Sequence, residues 1–91
     1  MAYIQKAGTP INLAASGIVS NVAGSLLGFY VNSTNAGTIA LLDGTASTSD
    51  AVTGTITPVI GWHRLPTAFP NGCYATIGGT ALNVTLIFAA G

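Results

Sequence analysis

The 91 residues suit one small domain; hydrophobic residues make up 49% of it, charged residues only 4%, and the formal net charge is zero. So apolar a chain is not a disordered segment, and two cations, Lys6 and Arg64, cannot form a phosphate-binding footprint, so no direct nucleic-acid contact is expected. A single cysteine, Cys73, rules out an internal disulfide framework and a cysteine-built zinc site.

In chain order, residues 1–16 come first and read as either an N-terminal arm or an edge strand. Thr9-Pro10 favours extended backbone there. One lysine and no continuous apolar block do not make a signal peptide. Residues 11–31 have the length of a membrane span, with Gly24 and Gly28 in G-x-x-x-G spacing. Asn12, Ser16, Ser20, Asn21 and Ser25 interrupt the run, and no basic cluster flanks it, so no membrane insertion is expected. Residues 11–27 are the nearest approach to a helical pattern.

Strand signals dominate from there. Leu27, Phe29 and Val31 share one face of a strand, and residues 33–37 (STNAG) supply a turn. A second strand, GTIALLD, closes at Asp43-Gly44, and residues 45–51 form a polar surface loop. Residues 52–60 and 61–69 offer two more strands, with Thr53, Thr55 and Thr57 alternating against Val52, Gly54 and Ile56. Pro58 places its strand at an edge or a bulge. After the Asn71-Gly72 turn, Cys73, Ala75 and Ile77 alternate with Tyr74 and Thr76. Gly78-Gly79-Thr80 then reads as a tight hairpin loop. In the last strand Leu82, Val84, Leu86 and Phe88 oppose Asn83, Thr85 and Ile87. The pattern predicts an all-β chain: residues 17–91 form one small antiparallel β-sandwich or jelly-roll-like domain.

Titratable machinery is sparse. His63 stands between Trp62 and Arg64, and the only side-chain carboxylates are Asp43 and Asp50. No G-x-S-x-G elbow accompanies the histidine, and a metal site would need both aspartates, so neither enzyme activity nor a cofactor is expected. Trp62 is either an aromatic interface anchor or a core filler. Arg64 is either an interface residue or half of an ion pair within the subunit. Cys73 reads as a small core residue. Asn32-Ser33-Thr34 and Asn83-Val84-Thr85 match the N-glycosylation pattern by chance in a chain rich in Asn and Thr.

The run GFYVNSTNAGTIALLDGT (28–45), followed by CYATIGGTALNVTLIF (73–88), resembles a recurrent small protein of tailed bacteriophages. The resemblance spans roughly residues 25–88 and lies in turn and strand patterns. It implies a virion structural component with a β-sandwich or jelly-roll-like fold, a cement or decoration protein on the capsid exterior, assembled in the host cytoplasm. The expected partners are the major capsid protein and further copies of this chain, in a homo-oligomer such as a trimer. Few charges guard the strand edges, so burial against neighbours is expected to cover them. The residues expected at protein contacts are Tyr3, Ile4, Lys6, Ile11 and Leu13 of the arm, with Trp62, Arg64, Tyr74 and Ile87. Three other classes compete. One is a tail, fibre or head–tail joining component; another is a carbohydrate-binding module using Trp62, Tyr30 and Tyr74; the third is a membrane-active protein with residues 11–31 as a helix.

Overall fold

A computed structural model describes residues 8–90. Its strands are β1 (Thr9–Leu13), β2 (Gly17–Ser20), β3 (Gly24–Asp43), β4 (Asp50–Ala51), β5 (Gly61–Phe69) and β6 (Cys73–Ala90). The chain is all-β and every strand pairing is antiparallel, as the alternation predicts. Hydrogen bonds join all six strands into one sheet. No helix of the described residues is long and apolar enough to cross a membrane. Residues 11–27, the nearest helical pattern, supply β1, β2 and the start of β3.

A long ribbon of β3 against β6 forms the middle of the sheet, paired from Gly24↔Ala90 to Asp43↔Cys73. β1 and β2 lie one after the other along the outer side of β6. β5 and β4 do the same along β3. Connectivity shows that this ribbon doubles back on itself. Phe69 pairs with Gly24 at one end of β3, and Cys73 pairs with Asp43 at the other. The chain between Phe69 and Cys73 can span at most about 14 Å. A straight strand with the 20 residues of β3 would measure about 66 Å. The ribbon must therefore fold near its middle.

That fold lies where the sequence suggested two separate hairpins. Residues 33–37 and Gly78-Gly79 are not loops; they lie inside β3 and β6 and face each other, Gly37 opposite Gly79. The register slips at Val31/Ser33, Asn35/Ala36 and Ala36/Gly37, and each slip adds a bulge that bends the strand. Ala36 takes a left-handed φ of 56° and Gly79 one of 76°. A side chain on Gly79 would strike the carbonyl oxygen of Ala36, so only glycine fits at this crossing. On the outer strand the bend is cut short. Leu13 pairs with Val84 and Gly17 with Ala75, so residues 14–16 bridge a much longer stretch of β6. Ser16 Oγ secures the shortcut, accepting from Ile77 N at 2.8 Å and reaching Ile77 O at 3.2 Å.

Residues 52–60 do not form the predicted strand. Only Asp50–Ala51 and an isolated bridge between Ile39 and Ile56 pair there. The physical reason is local competition: Thr53 Oγ1 accepts the Leu41 amide at 3.0 Å, taking a donor that a ladder carbonyl would otherwise receive. Pro58 is buried outside any strand.

The core fills the inside of the doubled sheet. Leu82, Val84, Leu86 and Phe88 of β6 are buried, with Cys73 and Ala75 from its first half. Ile39, Leu41, Phe29 and Val31 of β3 join them, and Phe69 meets Phe88 with ring centroids 6.2 Å apart. One predicted position differs. A bulge between Leu26 and Gly28 rotates the strand, so Leu26 is buried and Leu27 is exposed. Ile11 and Leu13 of β1 pack on this same core. Residues 9–13 are therefore an edge strand paired within the sheet, and residues 14–16 connect it to β2. The edges are also less open than the charge count suggested. Pro10 in β1 and Pro66 in β5 each remove a backbone donor from an outer strand.

Candidate interaction face

Of the predicted contact residues, Tyr3, Ile4 and Lys6 lie outside the described residues. Trp62, Arg64 and Ile87 come together on the outward face of one half of the doubled sheet. Tyr74 does not join them: it is half-buried on the other half, between Leu42 and Ile18 in the register.

Strand pairing explains why the outward face holds together. Asn12 of β1 pairs with Thr85 of β6, Thr85 with Tyr30 of β3, and Tyr30 with Trp62 of β5. Alternation sends all four side chains outward, in one row across four strands. The neighbouring row runs Pro10, Ile87, Gly28 and Arg64. Trp62 is 49% exposed and Tyr30 45% exposed, so the alternative that Trp62 fills the core is closed. Its indole nevertheless lies on the sheet. A Cβ at Gly28 would come within 2.8 Å of Trp62 Cζ2 and Cη2, so the absent side chain leaves the floor on which the ring rests. The benzo end of the indole thus lies over Gly28, while about half of the side chain stays exposed.

Beside the aromatic pair is a polar ladder. Asn83 Oδ1 accepts from Asn12 Nδ2 at 2.9 Å and from Asn32 Nδ2 at 3.0 Å. Thr85 Oγ1 accepts from the same two amides, at 3.1 and 3.0 Å. Asn12 also donates to Val84 O at 3.2 Å. Asn32 and Asn83, which match the glycosylation pattern in sequence, serve here as structural amides linking β1, β6 and β3.

His63, Asp43 and Cys73 are engaged elsewhere. His63 points inward and stacks on Phe29 with centroids 5.1 Å apart, and its Nε2 donates to Val59 O at 2.7 Å. Asp43 accepts from Asn71 N and Nδ2 at the far end of β3. Cys73 is fully buried; burial first, and the nearby Asp43 charge second, push its thiol pKa up to about 12. A thiol so shifted is neutral and inert near neutral pH. Among the described residues no three of His, Cys, Asp and Glu are grouped to hold a metal.

Sequence reasoning grouped Tyr30 with Trp62 in its carbohydrate-binding alternative, but also grouped Tyr74, which lies elsewhere, and it missed Asn12 and Asn32 as their companions. Alternation alone gives the outward direction of each residue. Register decides which outward residues are neighbours, and no local signal carries it. No family model, curated protein or solved structure matches the chain.

Proposed function

We propose that this chain is a non-enzymatic structural component of a tailed-bacteriophage virion. In this reading it is a cement or decoration protein that oligomerises on the capsid exterior and ties adjacent major capsid subunits together. The observation that carries the reading is the exposed apolar surface. Val59 is 70% exposed and Ile60 61% exposed, immediately before β5, and Ile18, Val22 and Val52 are also open to solvent. A chain with two cations and two anions has little charge to keep such a surface apart from others, so association covers it. The sequence resemblance to small phage virion proteins supplies the identity of the larger assembly.

Particles made without the protein provide the test. They are expected to assemble, yet to release their genome at lower temperature than complete particles. Equal thermal resistance would overturn the cementing role, and imaging that placed the chain in the tail would overturn its location. Val59→Ser with Ile60→Ser is expected to lower occupancy on the particle while leaving the β-type circular dichroism unchanged.

A further inference from the structure

We infer that the outward face around Trp62 and Tyr30 is a binding site for a neutral glycan, with one pyranose ring stacked on the exposed indole. This inference stands apart from the assembly role, because it uses the face of the sheet and not Val59 and Ile60.

Three features point to a sugar in place of a protein partner. First, two large aromatic side chains stand exposed side by side, Trp62 with its benzo end over Gly28. Gly28 leaves room for its benzo ring against the sheet, and this contact lowers the entropy cost of fixing the side chain on binding. The negative face of an aromatic ring attracts the partly positive C–H hydrogens on the apolar side of a pyranose. Tyr30, directly opposite Trp62 in the register, extends the platform toward the middle of the sheet.

Second, the polar ladder sits beside the platform with unused hydrogen-bonding capacity. Asn83 Oδ1 is held by two amides, and Asn83 Nδ2 has no hydrogen-bond partner among the described residues. The Thr85 hydroxyl accepts two hydrogen bonds and keeps its own proton to donate. Asn12 and Asn32 donate inward along the ladder, which leaves their carbonyl oxygens as acceptors. Sugar hydroxyls both donate and accept, so they satisfy this mixture. An apolar protein surface laid over the same face would strip water from these groups without replacing it.

Third, charge selects among sugars. Arg64 is the only charged side chain in the two rows that form the face. A neutral chain of hexoses fits better than a polyanionic one, which would need several cations.

Trp62 is the only tryptophan, so its fluorescence reads the site directly. The whole chain would be titrated with cellohexaose, maltohexaose and N-acetylchitohexaose up to about 10 mM. At least one is expected to give a saturable change. Tyr30→Ala is expected to raise the dissociation constant on the order of tenfold, and Asn83→Ala by about threefold. Both variants should keep the circular dichroism and assembly state of the parent. Should a variant fail to fold, mapping by NMR on the unaltered chain decides instead, with shifts expected at Trp62, Tyr30 and Asn83. The inference is overturned if none of the three sugars gives a saturable response, or if the shifts fall elsewhere. It is equally overturned if Tyr30→Ala changes the assembly state and leaves sugar binding unaltered, the outcome expected of a protein contact.

Discussion

Asp43 accepts two hydrogen bonds from Asn71, from the backbone N at 2.9 Å and from Nδ2 at 3.0 Å. The pair closes the doubled sheet. Asn71 stands in the short turn between the end of β5 and the start of β6, and Asp43 ends β3 on the opposite half. Gly44 N donates to Gly72 O at 3.2 Å and reinforces the same junction. Asp43→Ala removes both Asn71 bonds. A hydrogen bond to a charged group contributes about 1.5–3 kcal/mol when shielded. Exposure of Asn71 lowers this, so a loss of about 1–2 kcal/mol is expected in urea unfolding. An unchanged unfolding midpoint would show that the turn holds without its carboxylate.

The bend should be sensitive to a single methyl group. Gly79→Ala places a Cβ against the Ala36 carbonyl oxygen at a left-handed φ of 76°. Strain of this kind costs on the order of 1–3 kcal/mol, and the backbone clash adds to it. Gly54→Ala is the matched control, because nothing lies within 4 Å of its added Cβ. That variant is expected to stay within about 0.5 kcal/mol of the parent. Equal stability of the two variants would refute the glycine-dependent crossing.

Core and face make opposite predictions for two large side chains. Leu86 is fully buried, and Leu86→Ala is expected to cost about 2–5 kcal/mol. Trp62→Ala, on the open face, is expected to cost about 1 kcal/mol or less. Thermal or urea unfolding of both variants checks the ordering, and a larger loss at Trp62 would place its ring in the core.

Cys73 gives a pH-dependent readout. Burial raises its pKa from 9.0 to about 12 in the folded chain. Below about pH 9 the thiol is neutral whether folded or unfolded, and stability does not vary on its account. Between pH 9 and 12 the unfolded chain binds fewer protons than the folded one, so stability falls as pH rises. Urea unfolding of the parent and of Cys73→Ala across this interval should diverge, with the parent losing more. Native Cys73 is also expected to resist a thiol reagent at pH 8 and to react once the chain is unfolded. Rapid reaction of the folded chain would show the site to be open.

Residues 1–12 include most of β1, so their removal is more than the loss of a tail. Ile11 packs on the core, and the two hydrogens of Asn12 Nδ2 are shared among three acceptors across the sheet. The truncated chain is expected to melt several degrees lower than the parent, as a loss of about 1–3 kcal/mol implies for a small domain. Unchanged melting would mean that β1 contributes nothing to the sheet.

Leu82, Val84, Leu86 and Phe88 could be placed in the core from sequence because strand alternation is a property of the backbone itself. Each residue's direction follows from its neighbours. The all-β class, the Gly61–Phe69 strand, the end of a strand at Asp43 and the turn at Asn71-Gly72 were legible for the same reason. Leu27 was misplaced because a bulge shifts alternation by one residue, and a bulge is set by what the partner strand does.

Gly78-Gly79 marks the limit of local reading. A glycine pair permits a tight hairpin and equally permits a sharp bend within one long strand. The sequence by itself determined that the backbone must depart from ordinary strand geometry there. Only the tertiary structure decided which departure occurs: each half of β6 finds its hydrogen-bond partners on β3, not on the other half of β6. The candidate site has the same origin. Trp62, Tyr30, Thr85 and Asn12 are outward-facing by local rule, but they are neighbours only because register, a long-range property, aligns four strands.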